Sequence, residues 1–202
     1  MMAPPERSPE RDAAIEALLP NVPFDGWTAR ALRAALVSIG QPADDAALLF
    51  PGGAGDMVEA FCDLADRRME AECATLDLAA LRVPERVRAV LALRLRQNRP
   101  QREAIRRALG LLASPRHGRL AAACTARTVD AIWHAAGDRS ADWSWYSKRA
   151  ILASVYTGVI LFWLRDQDED DAATLAFLDR RLAGVARIGR VRRRVEQVLR
   201  RA

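Results

Sequence analysis

The sequence predicts an all-α fold. Ala, Leu, Arg and Glu dominate at spacings of three and four residues, while period-two runs of β-branched and aromatic residues are missing. Prolines and capping residues also punctuate the chain at helix-length intervals. At 202 residues it is long enough for one domain with a sizeable core, and no strong boundary divides it. Half the residues are hydrophobic and 28% are charged, with no long Ser, Gln or Gly tract, so disorder is expected only at the ends.

Residues 1–10 hold three prolines, two glutamates and no apolar h-region, and read as a disordered leader. They fit neither a secretory signal nor an Arg-rich transit peptide, which makes the cytoplasm the expected address. Ser8-Pro9 starts a helix whose stripe is Ile15, Leu18 and Leu19, stopped at Pro20. Thr28 caps a second helix carrying Leu32, Ala35, Leu36 and Ile39, ended by Gly40. A short third helix spans about 43–50. After Pro51-Gly52-Gly53, Asp56 opens a long helix whose Met57, Phe61, Leu64, Ala65, Arg68 and Met69 recur at spacings of three and four. Helices over about 84–98, 100–112 and 115–136 each begin near a proline. The next, about 143–165, is uncharged from Ala150 to Leu164, yet that stretch reaches only about 22 Å against a hydrocarbon core of roughly 30 Å, so it is a buried helix. An acidic connector, 166–171, leads to a helix over about 171–184 and then to a basic tail.

The three cysteines, Cys62, Cys73 and Cys124, are odd in number, far apart in sequence and set in apolar helical patterns, so buried free thiols are expected in place of disulfides or zinc. Two histidines are too few for a His-rich metal centre, and no metal or cofactor is expected. Residues 187–202 hold seven arginines against one glutamate, a net +6 in a chain whose total is +5, so the other residues are nearly neutral. Basicity belongs to the tail.

The three N-terminal helices with a Gly40 turn resemble the DNA-binding end of a TetR-type repressor. The third helix departs from that family: it opens on Asp44 and Asp45 and keeps only the closing aromatic, Phe50. From Pro20 to Ala60 two arginines face five carboxylates. Phosphate contacts supply most non-specific DNA affinity, so such a helix is repelled by its target and nucleic acid is not an expected partner.

Three of the five tryptophans fall between Trp133 and Trp145. Gly137 suits a helix end, and Asp138, Ser140 and Asp142 suit caps. A catalytic use of Ser140, His134 and Asp138 or Asp142 fits the residue types but lacks a nucleophile elbow or oxyanion loop, so no catalytic residue is assigned and the chain is read as a non-enzyme. Trp143, Trp145 and Tyr146 cannot all face inward, which places at least one aromatic at the surface. Leu152, Tyr156, Ile160 and Trp163 recur on one helix face, with Ile132 and Trp133 able to oppose them, as either a pocket wall or filled core.

The passage IWHAAGDRSADWSWYSKRAILASVY, the later TLAFLDRRLAGV and the DGWT at 25–28 resemble the coenzyme Q biosynthesis accessory protein nine (COQ-nine) family over about residues 11–187. That resemblance implies a TetR-like fold without regulator activity, an apolar pocket for lipids or isoprenoid quinone intermediates, and a patch that docks on the di-iron hydroxylase of demethoxyubiquinone. The docking pair carries over to Trp145 and Tyr146, and Asp138, Ser140, Asp142 and Arg149 also match, as architecture; for the pocket, the periodic face of Leu152, Tyr156, Ile160 and Trp163 with Ile132 and Trp133 is the candidate wall. It also implies a C-terminal amphipathic helix that associates with membranes.

On a helical projection, Val185, Ile188, Val191, Val195, Val198 and Leu199 form an apolar arc of about 140°, with Arg190, Arg193, Arg194, Arg200 and Arg201 opposite and Arg192 alone inside the arc. Such a helix suits an anionic bilayer face. The expected organisation is a leader at 1–10, a TetR-like lipid-binding body at 11–186 and a membrane-associating helix at 187–202. Its place is peripheral on the inner membrane, in ubiquinone biosynthesis, with dimerisation through the last helices left open. The alternative reading is a TetR-like transcriptional regulator with a small-molecule effector pocket.

Overall fold

The computed structural model describes the backbone of residues 5–138, 144–168 and 170–199, and side chains of 5–138, 147–168 and 170–185. Among the described residues the chain is helix and turn throughout. Helix α1 (Pro9–Leu18) is capped by Ser8, whose Oγ accepts from the Arg11 amide at 3.1 Å. Order reaches back to Arg7, which donates to Asp63 at 2.9 Å and 2.6 Å. The single turn α2 (Val22–Asp25) has no counterpart in the sequence reading. Thr28 caps α3 (Ala29–Ser38), accepting from the Ala31 amide at 3.1 Å. Gly40, at φ 75°, then turns the chain through left-handed backbone into α4 (Asp45–Leu49). α5 (Ala54–Cys73) starts two residues ahead of Asp56, the expected first residue.

α6 (Val83–Asn98) follows the expected span. α7 (Arg102–Leu112) and α8 (Gly118–Ala135) start later than Pro100 and Pro115 predict, because those prolines sit in 3-10 turns, Arg99–Gln101 and Pro115–His117. A 3-10 turn suits the fixed proline φ as well as an α-helical first turn does. α9 (Ser144–Trp163) matches its expectation, whereas the helix near 171–184 and the basic tail are one helix, α10 (Ala172–Leu199). No proline separates them, and Gly184 and Gly189 are accommodated inside the helix.

α5 lies at the centre. It packs along α8, α8 along α9 and α9 along α10, while α1 joins α3 to α5. Ile15, Leu18, Leu32, Leu36, Met57, Met69, Leu91, Ile132, Trp163 and Leu178 are fully buried in one continuous core. Each such side chain contributes about 1.5–3 kcal/mol by leaving water.

Two buried polar knots fix the ends. Arg11, 4% exposed, donates to the Leu49 carbonyl and to Asp56 at 2.5 Å and lies over the Phe50 ring, so it ties α1 to the end of α4 and the start of α5. Asp171, in left-handed backbone at φ 53°, accepts from Arg99 and Arg102 at 2.7 Å each and from Trp163 Nε1 at 3.1 Å. The Arg102 guanidinium also covers the Trp163 ring at 4.4 Å. The acidic connector is therefore a lock between α7, α9 and α10.

Among the described residues no helix is long and apolar enough to cross a membrane.

Candidate functional site

α8 packs against both α6 and α9, and two cavities are lined by all three helices. The first encloses about 170 Å³ between Val83, Pro84 and Val87 of α6, Trp133 of α8, Ile151, Leu152 and Val155 of α9, and Leu182 and Val185 of α10, with Lys148 the one ionic lining residue among the described residues. The second encloses about 130 Å³ where Phe61 and Cys62 of α5, Arg94 and Asn98 of α6, α7, Thr125 of α8 and Tyr156 and Ile160 of α9 meet. Arg94 follows Val87 by two turns of one helix, about 10 Å, so the cavities are in line along α6.

The second cavity has a polar floor. Arg94 and Asp66 are 3% and 6% exposed, and Arg94 Nη1 lies 2.8 Å from Asp66 Oδ1. The pair is close but misaligned: neither of those atoms has a hydrogen-bond partner, and Arg94 Nε has none either. Asp66 Oδ2 accepts from Thr128 Oγ1 at 3.0 Å. Burial lifts the Asp66 carboxyl to about 6, against the pull of Arg94 and Thr128. Burial works against the Arg94 charge too, but Asp66, Tyr156 and Cys62 outweigh it. The Tyr156 hydroxyl, beside Arg94, is itself pushed up by burial.

Cys62 and Cys124, far apart in sequence, are neighbours across α5 and α8. The contact with Cys124, reinforced by burial, drives the Cys62 thiol well up, and the same contact lowers Cys124. All three cysteines are free thiols, Cys73 and Cys124 buried and Cys62 half-buried.

The six residues expected along one pocket wall are divided three ways. Trp133 and Leu152 line the apolar cavity. Tyr156 and Ile160 line the cavity with the polar floor. Ile132 and Trp163, each 0% exposed, line neither and belong to the filled core. Trp133 Nε1 is buried without an acceptor, and Lys148 Nζ sits 5.9 Å from its ring centre. Sequence reasoning missed Arg94 and Asp66. A signal existed, since Arg94 interrupts the buried apolar face set by Val87, Val90 and Leu91, and Asp66 falls between apolar positions of α5.

His134 is exposed and pairs with Glu70 at 3.0 Å, while Asp138 faces Lys148 at 3.4 Å, so these two do not converge. Ser140 and Asp142 lie outside the described residues. Trp145 and Tyr146 occupy the first turn of α9, but their side chains lie outside those described. So do the side chains of Ile188, Arg190, Val191, Arg193, Arg194, Val195, Val198 and Leu199, whose backbone is α10.

At the other end, Trp27 of the DGWT motif is 5% exposed, donates Nε1 to the Ala104 carbonyl at 3.1 Å and tilts against Phe61 with centroids 5.4 Å apart. The motif is therefore architectural: Gly26 ends α2, Thr28 starts α3, and Trp27 pins both to α7. α4 presents an exposed Asp44 and a Leu48 that is 79% exposed, a surface opposite in character to a phosphate reader.

Residues 119–189 match the model of the COQ9 family. The chain is 30% identical over 189 residues to the rat (Rattus norvegicus) mitochondrial ubiquinone biosynthesis protein COQ9, covering 90% of this chain and 60% of that protein. The Xenopus laevis mitochondrial ubiquinone biosynthesis protein COQ9-A is 32% identical over 182 residues, covering 87% of this chain and 57% of the relative. The chain is similar to COQ9 proteins over most of its own length. It spans about three fifths of the length of these COQ9 relatives.

A Nitrosomonas europaea TetR transcriptional regulator of known structure superposes with a TM-score of 0.71 at 24% identity, over 89% of this chain and 99% of its own. That likeness shows the fold, which is TetR-like as the helix layout predicts. The COQ9-matching segment comprises α8, α9 and most of α10, and holds Trp133, Leu152, Tyr156 and Ile160. Arg94 and Asp66 lie ahead of it.

Proposed function

We propose that this chain is a non-catalytic, lipid-binding accessory protein of ubiquinone biosynthesis, presenting polyprenylated quinone intermediates at a membrane to a partner hydroxylase of the di-iron demethoxyubiquinone type. The observation that carries the reading is the 170 Å³ cavity walled almost entirely by apolar side chains of α6, α8, α9 and α10. A cavity with such walls gains nothing from a polar solute and holds alkyl or isoprenoid chain by exclusion of water. Similarity to proteins named as mitochondrial ubiquinone biosynthesis proteins supports the pathway.

In this reading, Trp145 and Tyr146, one turn ahead of Arg149 and Ala150 on α9, form the hydroxylase-docking patch. Arg149 and Ala150 border a groove between α8 and α9 lined by Ala121, Ala122, Ala126 and Ala153. The distal part of α10 supplies the membrane contact through its apolar arc and its arginines, each worth about 1 kcal/mol near an anionic surface. The TetR-like fold brings no DNA binding with it, because the surface of α4 is acidic and apolar.

Mass spectrometry of solvent extracts from the purified chain tests the proposal, and isoprenoid quinone precursors at near-stoichiometric yield are expected. Liposome pelleting is expected to be lost on deleting 187–202, and hydroxylase co-purification on changing Trp145 and Tyr146 to Ala. An extract free of lipid, with no uptake from added vesicles, would refute the lipid-binding role.

A further inference from the structure

Two of the three thiols meet, and the third stands apart. Cys62 of α5 and Cys124 of α8 are hydrogen-bond partners where the two helices pack along each other. Sulfurs already in contact leave a side-chain rotation and a small approach of the helices as the motion needed to reach a disulfide's S–S distance of about 2.05 Å. We propose that Cys62 and Cys124 are a peroxide-reactive dithiol, a modification site that a small hydroperoxide converts to a disulfide bridging α5 and α8. This chemistry is independent of lipid binding.

Charge around the pair favours it. Arg127 Nη2 reaches Cys124 Sγ at 3.6 Å, and Glu59 holds the same guanidinium at 2.5 Å. The Cys62 thiol, donating to Cys124, and Arg127 beside it both lower the Cys124 thiol, while Cys62 keeps its proton. Thiolate, not thiol, is the nucleophile, so one proton held between two sulfurs keeps a nucleophile at hand. Cys73 lacks this setting: it is 4% exposed, and burial, Glu72 and Glu70 all raise its thiol.

Access comes through the smaller cavity. Cys62 is half-buried and lines that space of about 130 Å³, whose wall also includes Leu161, 53% exposed at the surface. One water takes roughly 30 Å³, so hydrogen peroxide has room to reach the sulfur. Cys124 is 4% exposed and lines neither cavity, which makes Cys62 the sulfur attacked first.

Cys62 passes its proton to Cys124, and its sulfur attacks one peroxide oxygen. An S–O bond forms, the O–O bond breaks, and the leaving hydroxide takes the proton from Cys124 to become water. Cys124, again a thiolate, attacks the Cys62 sulfur. The S–S bond forms, the S–O bond breaks, and the second hydroxide takes a proton from solvent. The two sulfurs together lose two electrons, and the peroxide gains them. The product ties α5 to α8, two walls of the smaller cavity.

Thiol titration and non-reducing peptide mapping of the full chain, freshly reduced and then exposed to a few equivalents of hydrogen peroxide, test this. Free thiols are expected to fall from three to one, with the Cys62 and Cys124 peptides recovered as one linked species from monomeric protein. Dithiothreitol is expected to restore all three. In Cys124→Ala the disulfide is expected to give way to a Cys62 sulfenic acid that dimedone traps. Should that variant fail to fold by circular dichroism, the map of the native chain decides, since it needs no substitution. Three free thiols after a treatment that oxidises glutathione in the same buffer, a bridge that includes Cys73 or joins two chains, or oxidation that runs to sulfinic acid without a bridge overturns the dithiol site.

Discussion

The two cavities share α6, α8 and α9 as walls and differ in what stands behind those walls. Around the first, α10 contributes Leu182 and Val185, and among the described residues the lining is apolar except for Lys148. Around the second, α5 and α6 bring Cys62, Arg94 and Asn98, with Asp66 beneath. One face of α9 thus serves a room suited to hydrocarbon and a room suited to a hydrogen-bond acceptor, and then ends in solid core at Trp163. Periodicity specifies the face; the facing helices decide whether it bounds a cavity or fills one.

The sharpest test of that division is Trp163→Ala. If Trp163 is core, its loss removes packing, the bond to Asp171 and the stacking under Arg102, and should cost on the order of 3–5 kcal/mol in urea denaturation. A loss under about 1 kcal/mol would instead make it a cavity wall.

The polar floor should announce itself in the pH dependence of stability. Asp66 titrates at about 6 when folded, above its ordinary 3.8. Between those values the folded chain keeps a proton that the unfolded chain has lost, so unfolding releases it. The contribution is fully present below about pH 4 and is lost by about pH 6, a decline of up to about 3 kcal/mol. Denaturation series across that window should show this downward component in the native chain and its absence in Asp66→Asn.

Smaller effects separate the two rooms. Leu152→Phe puts added volume into the 170 Å³ cavity, so stability should stay within about 1.5 kcal/mol while lipid recovered by extraction falls. A larger destabilisation with lipid unchanged would show that no usable space exists there. Tyr156→Phe should shift stability by about 1 kcal/mol and leave extracted lipid in place, marking the hydroxyl as a feature of the polar room alone.

Much of the fold was legible because its signals are local. Ser8 and Thr28 cap as their types predict, Gly40 turns as expected, and the stripes of α1, α3 and α5 are buried except at Ile39, which is 42% exposed, and Arg68. The continuity of α10 was not legible, because the jump in charge near Arg187 suggests a boundary where the backbone has none. At the site, Tyr156, Ile160, Trp133 and Leu152 were within reach of periodicity, but Ile132 and Trp163 share that periodicity and are core. Arg94 and Asp66 were out of reach for a different reason: each looks like an ordinary charged residue on an amphipathic helix. Only the meeting of α5 and α6 inside the core shows that they face each other without water. Trp27 shows the converse, a motif noticed for kinship that is a structural peg.

α10 runs unbroken for 28 residues, about 42 Å of helix. Leu182 and Val185, on its body-facing half, wall the apolar cavity, and Asp179 is held by Arg88 at 2.5 Å and 3.1 Å. A stiff rod clamped near one end is a lever. Torque applied to its distal arginine-rich arm is delivered, without a joint to absorb it, to the wall behind which hydrocarbon would lie.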